Sequence, residues 1–463
     1  MELIIYTREP KDDYTESLAN SVHFALLNET GILEPLNNNY GILFTEAVVD
    51  ENDVIQEKGI KNPLIFRTED KSFGIIATRV NKDGTEDNSC EGFVQLWQSN
   101  DLIEFDDMGL VRLSDLQNPA QSNKINLTPS EINKVLKRWA SKERLAQPEF
   151  PFPLTHGYAD PVILPWKDKY YFLSTNDNTN DVGLYVRESE TIMGLFEPGF
   201  YEVLILDKDE EKGFIQTFWA PEFHFIGGKL YILLAIGPKE WGPQCHMMKL
   251  KENGDIMNPT DWETPVKVVR KDGSPLAPDG ITLDMTYFCA GGKSCLAWSY
   301  RRGINSPLDT GSMIFIAEAD DENPTQLASA PVLLTRPLYG WENIQGTINN
   351  EGPYPLITDK YVYLSYSGGA ANGYTYAVGM LRIPIGGDYL NRKAWKKYNT
   401  PVLSYYSSNG VYGPGHNSFF TDYDGTVYMM YHGEEKLVKS GERCSAMHRV
   451  HFDEDGEPIF DMV

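Results

Sequence analysis

Asp160, Asp284, Glu351 and His416 share one feature: each stands nine positions before the turn residue of a recurring apolar hairpin, those turn residues being Lys169, Lys293, Lys360 and Gly425. A further copy turns at Lys229 and has Ala220 in the equivalent place. A lone Asp at a strand start most often bonds local backbone. Three carboxylates brought to one register are different, because gathering like charges costs desolvation and repulsion, so their presence argues for charge chemistry. Two carboxyl groups facing across a cleft suit cleavage of a glycosidic bond, one protonating the leaving oxygen and the other activating water. A third beside the acid would raise its pKa by like-charge repulsion. Groups on separate repeats are expected to lie far enough apart, about 6.5–9.5 Å, to admit a water and invert the anomeric centre.

The elements that must position these groups are strands. The copies read WKDKYYFLST from Trp166, IGGKLYILLA from Ile226, AGGKSCLAWS from Ala290, ITDKYVYLSY from Ile357 and DYDGTVYMMY from Asp422. Their turns are separated by 60, 64, 67 and 65 positions. That period, with several short strands per repeat and no long helical pattern between them, predicts blades of a β-propeller whose first strands line a central channel. The fold expected is all-β: a five-bladed propeller over residues 148–463, preceded over residues 1–147 by a blade-like accessory module and one linking helix. By strand alternation Glu222, two beyond Ala220, points the same way but deeper.

The early module contains a sixth echo, KNPLIFRTEDKSFGIIATR, with its turn at Lys71 and the amide Asn62 where the other copies hold a carboxylate. A six-bladed ring is the competing account. Thr128, followed by Pro129, predicts the start of a helix running from Pro129 to Leu145, and PEFPFPL from Pro148 a stiff junction.

Composition removes other classes of function. With 41 Lys and Arg against 66 Asp and Glu, the net charge of −25 repels phosphate backbones and anionic membrane surfaces, which excludes nucleic acid and membrane as partners. The aromatic share of 12 %, beside 39 Gly and 28 Pro, favours pleated surfaces and tight turns. Five cysteines without paired spacing read as free thiols. The opening MELIIYTREP lacks the basic and apolar stretches of an export segment, so a cytoplasmic location is expected. Oligomeric state is not readable.

Taken together, HGYADPVI, FWAPEFHFIGGKLYI, ITLDMTYF, NNEGPYPLI and GPGHNSFF resemble, in order and spacing, the five blades of family 43 glycoside hydrolases over about two-thirds of the chain. The resemblance implies an inverting glycosidase acting on arabinose- or xylose-containing plant glycans. It lends Asp160 the role of general base, Asp284 that of the carboxylate tuning the acid, and Glu351 that of general acid. It also implies that His416 faces a hydrated cation such as calcium in the channel, with no cofactor required for the reaction, and that Arg443 lines the pocket. Sugars stack an apolar face on aromatic rings, so Trp219, Phe218 and Trp341 are candidate subsite walls, and Tyr158 stands close enough to the base to reach a hydroxyl. The function expected is release of terminal α-L-arabinofuranosyl residues from short arabino- or arabinoxylo-oligosaccharides. A β-D-xylosidase of the same fold is the alternative, and a non-catalytic carbohydrate-binding propeller a more distant one.

Overall fold

Five four-stranded antiparallel sheets form a ring in the computed structural model, which describes residues 1–70, 72–116, 122–140, 150–344 and 347–460. Their innermost strands are Tyr158–Trp166, Gln216–Ile226, Gly280–Ala290, Glu351–Ile357 and Tyr412–Thr421. Each touches the innermost strands of both neighbouring blades, and the fifth touches the first. The ring is latched by strand exchange: Thr155–His156, which precede the first blade, pair with Cys444–Arg449 as the outermost strand of the fifth. The segment before the first blade thus completes the four strands of the last.

The turns explain how the hairpins form. Lys167–Asp168, Gly227–Gly228 and Gly291–Gly292 all have positive φ, the two-residue geometry whose twist matches that of the flanking strands. The fourth blade turns differently. There Thr358 N donates to Tyr361 O, so Asp359 and Lys360 are the turn itself, whereas Lys169, Lys229 and Lys293 follow theirs. A count of nine from Lys360 therefore lands one residue early, and the position structurally equivalent to Asp160 and Asp284 is Gly352, with Glu351 just before it.

That equivalent position is left-handed in every blade: Asp160, Ala220, Asp284, Gly352 and His416 have φ of 52°, 45°, 53°, 58° and 45°. Each sits where the pairing of its hairpin shifts register. Gly and Asp enter this region at low cost, whereas Ala220 and His416 are strained there. Interblade hydrogen bonds offset the strain. The amides of Ala220, Gly352 and His416 donate to the hydroxyls of Thr175, Ser299 and Ser367 on the preceding blade, at 2.8, 3.2 and 2.7 Å. Asp160 N donates to His432 Nδ1 of the last blade at 3.2 Å, which carries the pattern across the closure. Only between blades two and three is there no such acceptor, because Ala235 occupies the place. Replacing Thr175 by Val is expected to cost about 1–3 kcal/mol, since the Ala220 amide loses its buried acceptor. Urea unfolding measures this, and a change within error would mean that water substitutes for the hydroxyl.

The second unit comprises Met1–Ala146 together with Leu338–Ile344. It holds one four-stranded sheet built on Glu2–Tyr6 and His23–Leu27, and another running from Lys58–Arg67 to Asp106–Arg112. This second sheet is the sixth echo, and it belongs to the N-terminal unit rather than to the ring. Asn62 has the same left-handed φ of 53° but is exposed; the expected turn residue Lys71 lies outside the described residues. The helix spans Pro129–Trp139, shorter than expected. Its start is a capping box: Thr128 Oγ1 accepts from Glu131 N, and Glu131 accepts from Thr128 N. Ala140 is already extended, Trp139 being anchored by its indole N–H to Leu102 O at 2.7 Å, and the expected end at Leu145 falls outside the described residues. Among the described residues no helix is long and apolar enough to cross a membrane, and all five cysteines are free thiols.

Candidate active site

Asp160, Asp284 and His416 at the left-handed positions, with Glu351 beside Gly352, bring ionisable groups into the channel, and there the distant carboxyls meet. Asp160 is buried. Its Oδ2 accepts from Thr175 Oγ1 at 2.5 Å, while Oδ1 lies 3.2 Å from His416 Nδ1 and 3.7 Å from Arg443. Burial pushes this carboxyl up, but His416 and Arg443 overcome burial and hold it well below the usual carboxylate range. It is an ionised group at any physiological pH, as a base that activates water requires.

Glu351 has the opposite environment. Burial and the charge of Asp284 push it up to about 7, against smaller opposing effects from His416, the Tyr376 hydroxyl that donates to Oε1 at 3.0 Å, and Arg301. Arg301 is itself held by Asp309 and Asn349. Asp284 is fixed by Ser299 Oγ at 2.9 Å and Gly352 N at 3.1 Å. The one-residue offset of the fourth blade lets the Gly352 amide grip Asp284 while the adjacent Glu351 faces the channel beside it. Burial raises Asp284 as well.

The sign of the pH dependence follows. Glu351 must be protonated to act as acid, so activity is expected to fall as pH rises through about 7. Asp284→Asn removes the neighbouring charge, lowers the Glu351 pKa and moves this basic limb to lower pH. A kcat/KM profile checks it, and an unmoved limb would assign the titration to another group.

His416 lies among Asp160, Asp284, Glu351 and Glu222; burial lowers its pKa, but these four acidic groups more than compensate and raise it. His432 is the contrary case, held neutral chiefly by burial. Its Nε2 lies 2.7 Å from Ala371 O, so that nitrogen carries the proton and Nδ1 is free to accept from Asp160 N. Its ring stacks on Tyr376 with centroids 5.4 Å apart, linking the surroundings of Asp160 to those of Glu351.

At the rim, Arg443 makes a two-pronged contact with Asp177 and turns its remaining nitrogen toward Asp160. Asp181, pushed up to about 6 chiefly by burial, accepts from the Trp219 indole N–H at 2.8 Å. Trp219 meets Trp241 edge to face at 6.5 Å, and Trp241 is 50 % exposed. These two rings make the apolar wall of the rim.

Several expected contacts lie elsewhere. Phe218, 1 % exposed, packs in the interblade core, because adjacent strand residues point to opposite faces and Trp219 takes the open one. Trp341 is wholly buried and belongs to the N-terminal unit, so no sugar reaches it. Tyr158 would share a face with Asp160 in a regular strand. The bulge at Asp160 breaks the alternation, and the Tyr158 ring packs instead against Phe172 and Arg187. Glu222 is in the channel, but its carboxyl is bonded to His224 Nε2 at 2.6 Å. His432, Tyr376, Asp177, Asp181 and Trp241 were not anticipated: none occupies the repeated first-strand position, and only the residue opposite it on the second strand, Thr175, Ser299, Ser367 or His432, has a regular place that could have been searched.

The family model described as "Glycosyl hydrolases family 43" matches residues 152–458. An extracellular exo-alpha-(1->5)-L-arabinofuranosidase of Streptomyces avermitilis is 31 % identical over 322 residues, which is 67 % of this chain and 63 % of that protein. Its namesake from Streptomyces chartreusis is 30 % identical over 285 residues, 61 % of this chain and 82 % of the relative. Among solved structures, an alpha-L-arabinofuranosidase from Lactobacillus brevis superposes with a TM-score of 0.58 at 31 % identity, covering 67 % of this chain and 96 % of its own. The chain thus spans less than two-thirds of the length of the S. avermitilis protein. Both Streptomyces relatives are named extracellular, which overturns the cytoplasmic location expected from the opening residues.

Proposed function

Since the chain belongs to glycosyl hydrolases family 43, we propose that it removes terminal α-L-arabinofuranosyl residues, with inversion, from short arabino- or arabinoxylo-oligosaccharides outside the cell. The observation supporting this most is the opposed environment of two channel carboxyls: Asp160 is held ionised by two cations and Glu351 is pushed up to about 7 beside Asp284. Asp160 then takes a proton from water as its oxygen attacks the anomeric carbon. Glu351 gives its proton to the departing glycosidic oxygen, and the Asp284 charge keeps that proton in place beforehand. Trp219 and Trp241 offer rings against the apolar face of the sugar.

Incubation with short α-1,5-linked arabino-oligosaccharides under proton NMR tests the reading: β-arabinofuranose should appear first and convert to the equilibrium mixture. A panel of 4-nitrophenyl glycosides cleaved only as the xyloside would replace it with the xylosidase reading, and binding without cleavage of any would replace it with a carbohydrate-binding one. Calcium in the channel is part of the same proposal. The Asp160 and Asp284 carboxylates beside His416 supply a field that attracts a cation, and its six to eight oxygen ligands would be largely water, the imidazole facing the hydrated ion. Thermal melts in calcium and in chelator should differ if it binds.

A further inference from the structure

Where the ring is latched, a second cluster of donor atoms converges that the reaction does not use. His156 and Cys444 are directly opposite each other across the closing strand pair, so their side chains share a face. Cys444 Sγ lies 3.4 Å from His156 Nδ1, and the same nitrogen lies 3.6 Å from Glu442 and 3.9 Å from Glu435. Among the described residues, His156, Glu435 and Cys444 are the one group of three such side chains whose donor atoms all fall within 4.8 Å of one another.

We propose that His156, Cys444 and Glu435 hold a zinc-class divalent cation that clamps the propeller closed, with water in the fourth position. The spacing is near that of bound ligands: Cys444 Sγ and the Glu435 carboxylate lie 3.4 and 3.9 Å from His156 Nδ1, where bonds of about 2.0–2.3 Å at tetrahedral angles place neighbouring ligand atoms roughly 3.3–3.6 Å apart. The donor set is selective as well. An imidazole and a thiolate favour zinc-like ions, whereas calcium asks for oxygen alone. His156, Glu435 and Glu442 are about half exposed, giving the ion a path from solvent, and Cys444 forms the buried floor. Forming the metal–sulfur bond releases the S–H proton to solvent. The position gives the clamp a purpose: it joins the strand before the first blade to the last blade, four residues from Asp160 and next to Arg443.

The test uses the full chain, stripped with chelator and titrated with cobalt(II) and then zinc. We expect one cobalt per chain with a near-ultraviolet thiolate-to-metal band, displaced by zinc. Cys444→Ser should abolish the band and Cys289→Ser, at an exposed thiol, should keep it. His156→Ala should weaken binding by more than the roughly 10- to 100-fold that loss of a mere supporting contact costs. Zinc should raise the melting temperature of the wild type and not of His156→Ala. Circular dichroism of each metal-free variant verifies that it folds. A folded wild type without the band, or a band that survives in Cys444→Ser, would overturn the proposal.

Discussion

Replacing Glu351 by Gln is expected to slow hydrolysis of an arabino-oligosaccharide by about 10³–10⁴-fold, the upper part of what a positioned general acid contributes. The substitution preserves shape and the contact with the Tyr376 hydroxyl but supplies no proton to the departing sugar oxygen. A nitrophenolate departs with little help from an acid, so the loss on 4-nitrophenyl arabinofuranoside should be much smaller. The basic limb near pH 7 should vanish in the variant, since the group responsible for it is gone. Steady-state kinetics on the two substrates across pH decides the matter. Equal losses on both would mean that Glu351 does not protonate the leaving group.

Asp160→Ala is the second large effect, and it has two parts. Without the base, water attacks unassisted, and turnover should fall by about 10²–10⁴-fold. Azide, which needs no deprotonation, should restore a measurable rate from the space left by the carboxylate and yield the β-glycosyl azide, of opposite configuration to an α-linked substrate. The variant should also be less stable, because His416 and Arg443 lose the buried anion they share. Removing one member of such a group costs about 3–5 kcal/mol. Asp160→Asn separates the two parts, since an amide can still meet the Thr175 hydroxyl without supplying charge. An α-configured azide, or no rescue in a folded variant, would remove Asp160 from the role of base.

Part of the site was legible because a repeat imposes one register. The hairpin period identified the channel strands, and counting along them found Asp160, Asp284, Glu351 and His416 without any coordinates. The same count was one residue off in the fourth blade. The pattern shows a Lys near each turn but not whether it lies inside the turn or after it, and that depends on which backbone groups pair, here Thr358 with Tyr361. The aromatic candidates fared less evenly, for a related reason. An exposed ring and a buried one look alike in a string of letters, so Trp219 and Trp341 could be told apart only by what packs over them.

The amino-acid sequence by itself determined the blades and the carboxylates they bear, because strand alternation and turn chemistry are local and repeat every sixty-odd residues. Tertiary structure alone decided the protonation of those carboxylates and who holds them. His432, Arg443 and Tyr376 come from different strands and blades, and an electrostatic field acts across space without regard to order along the chain.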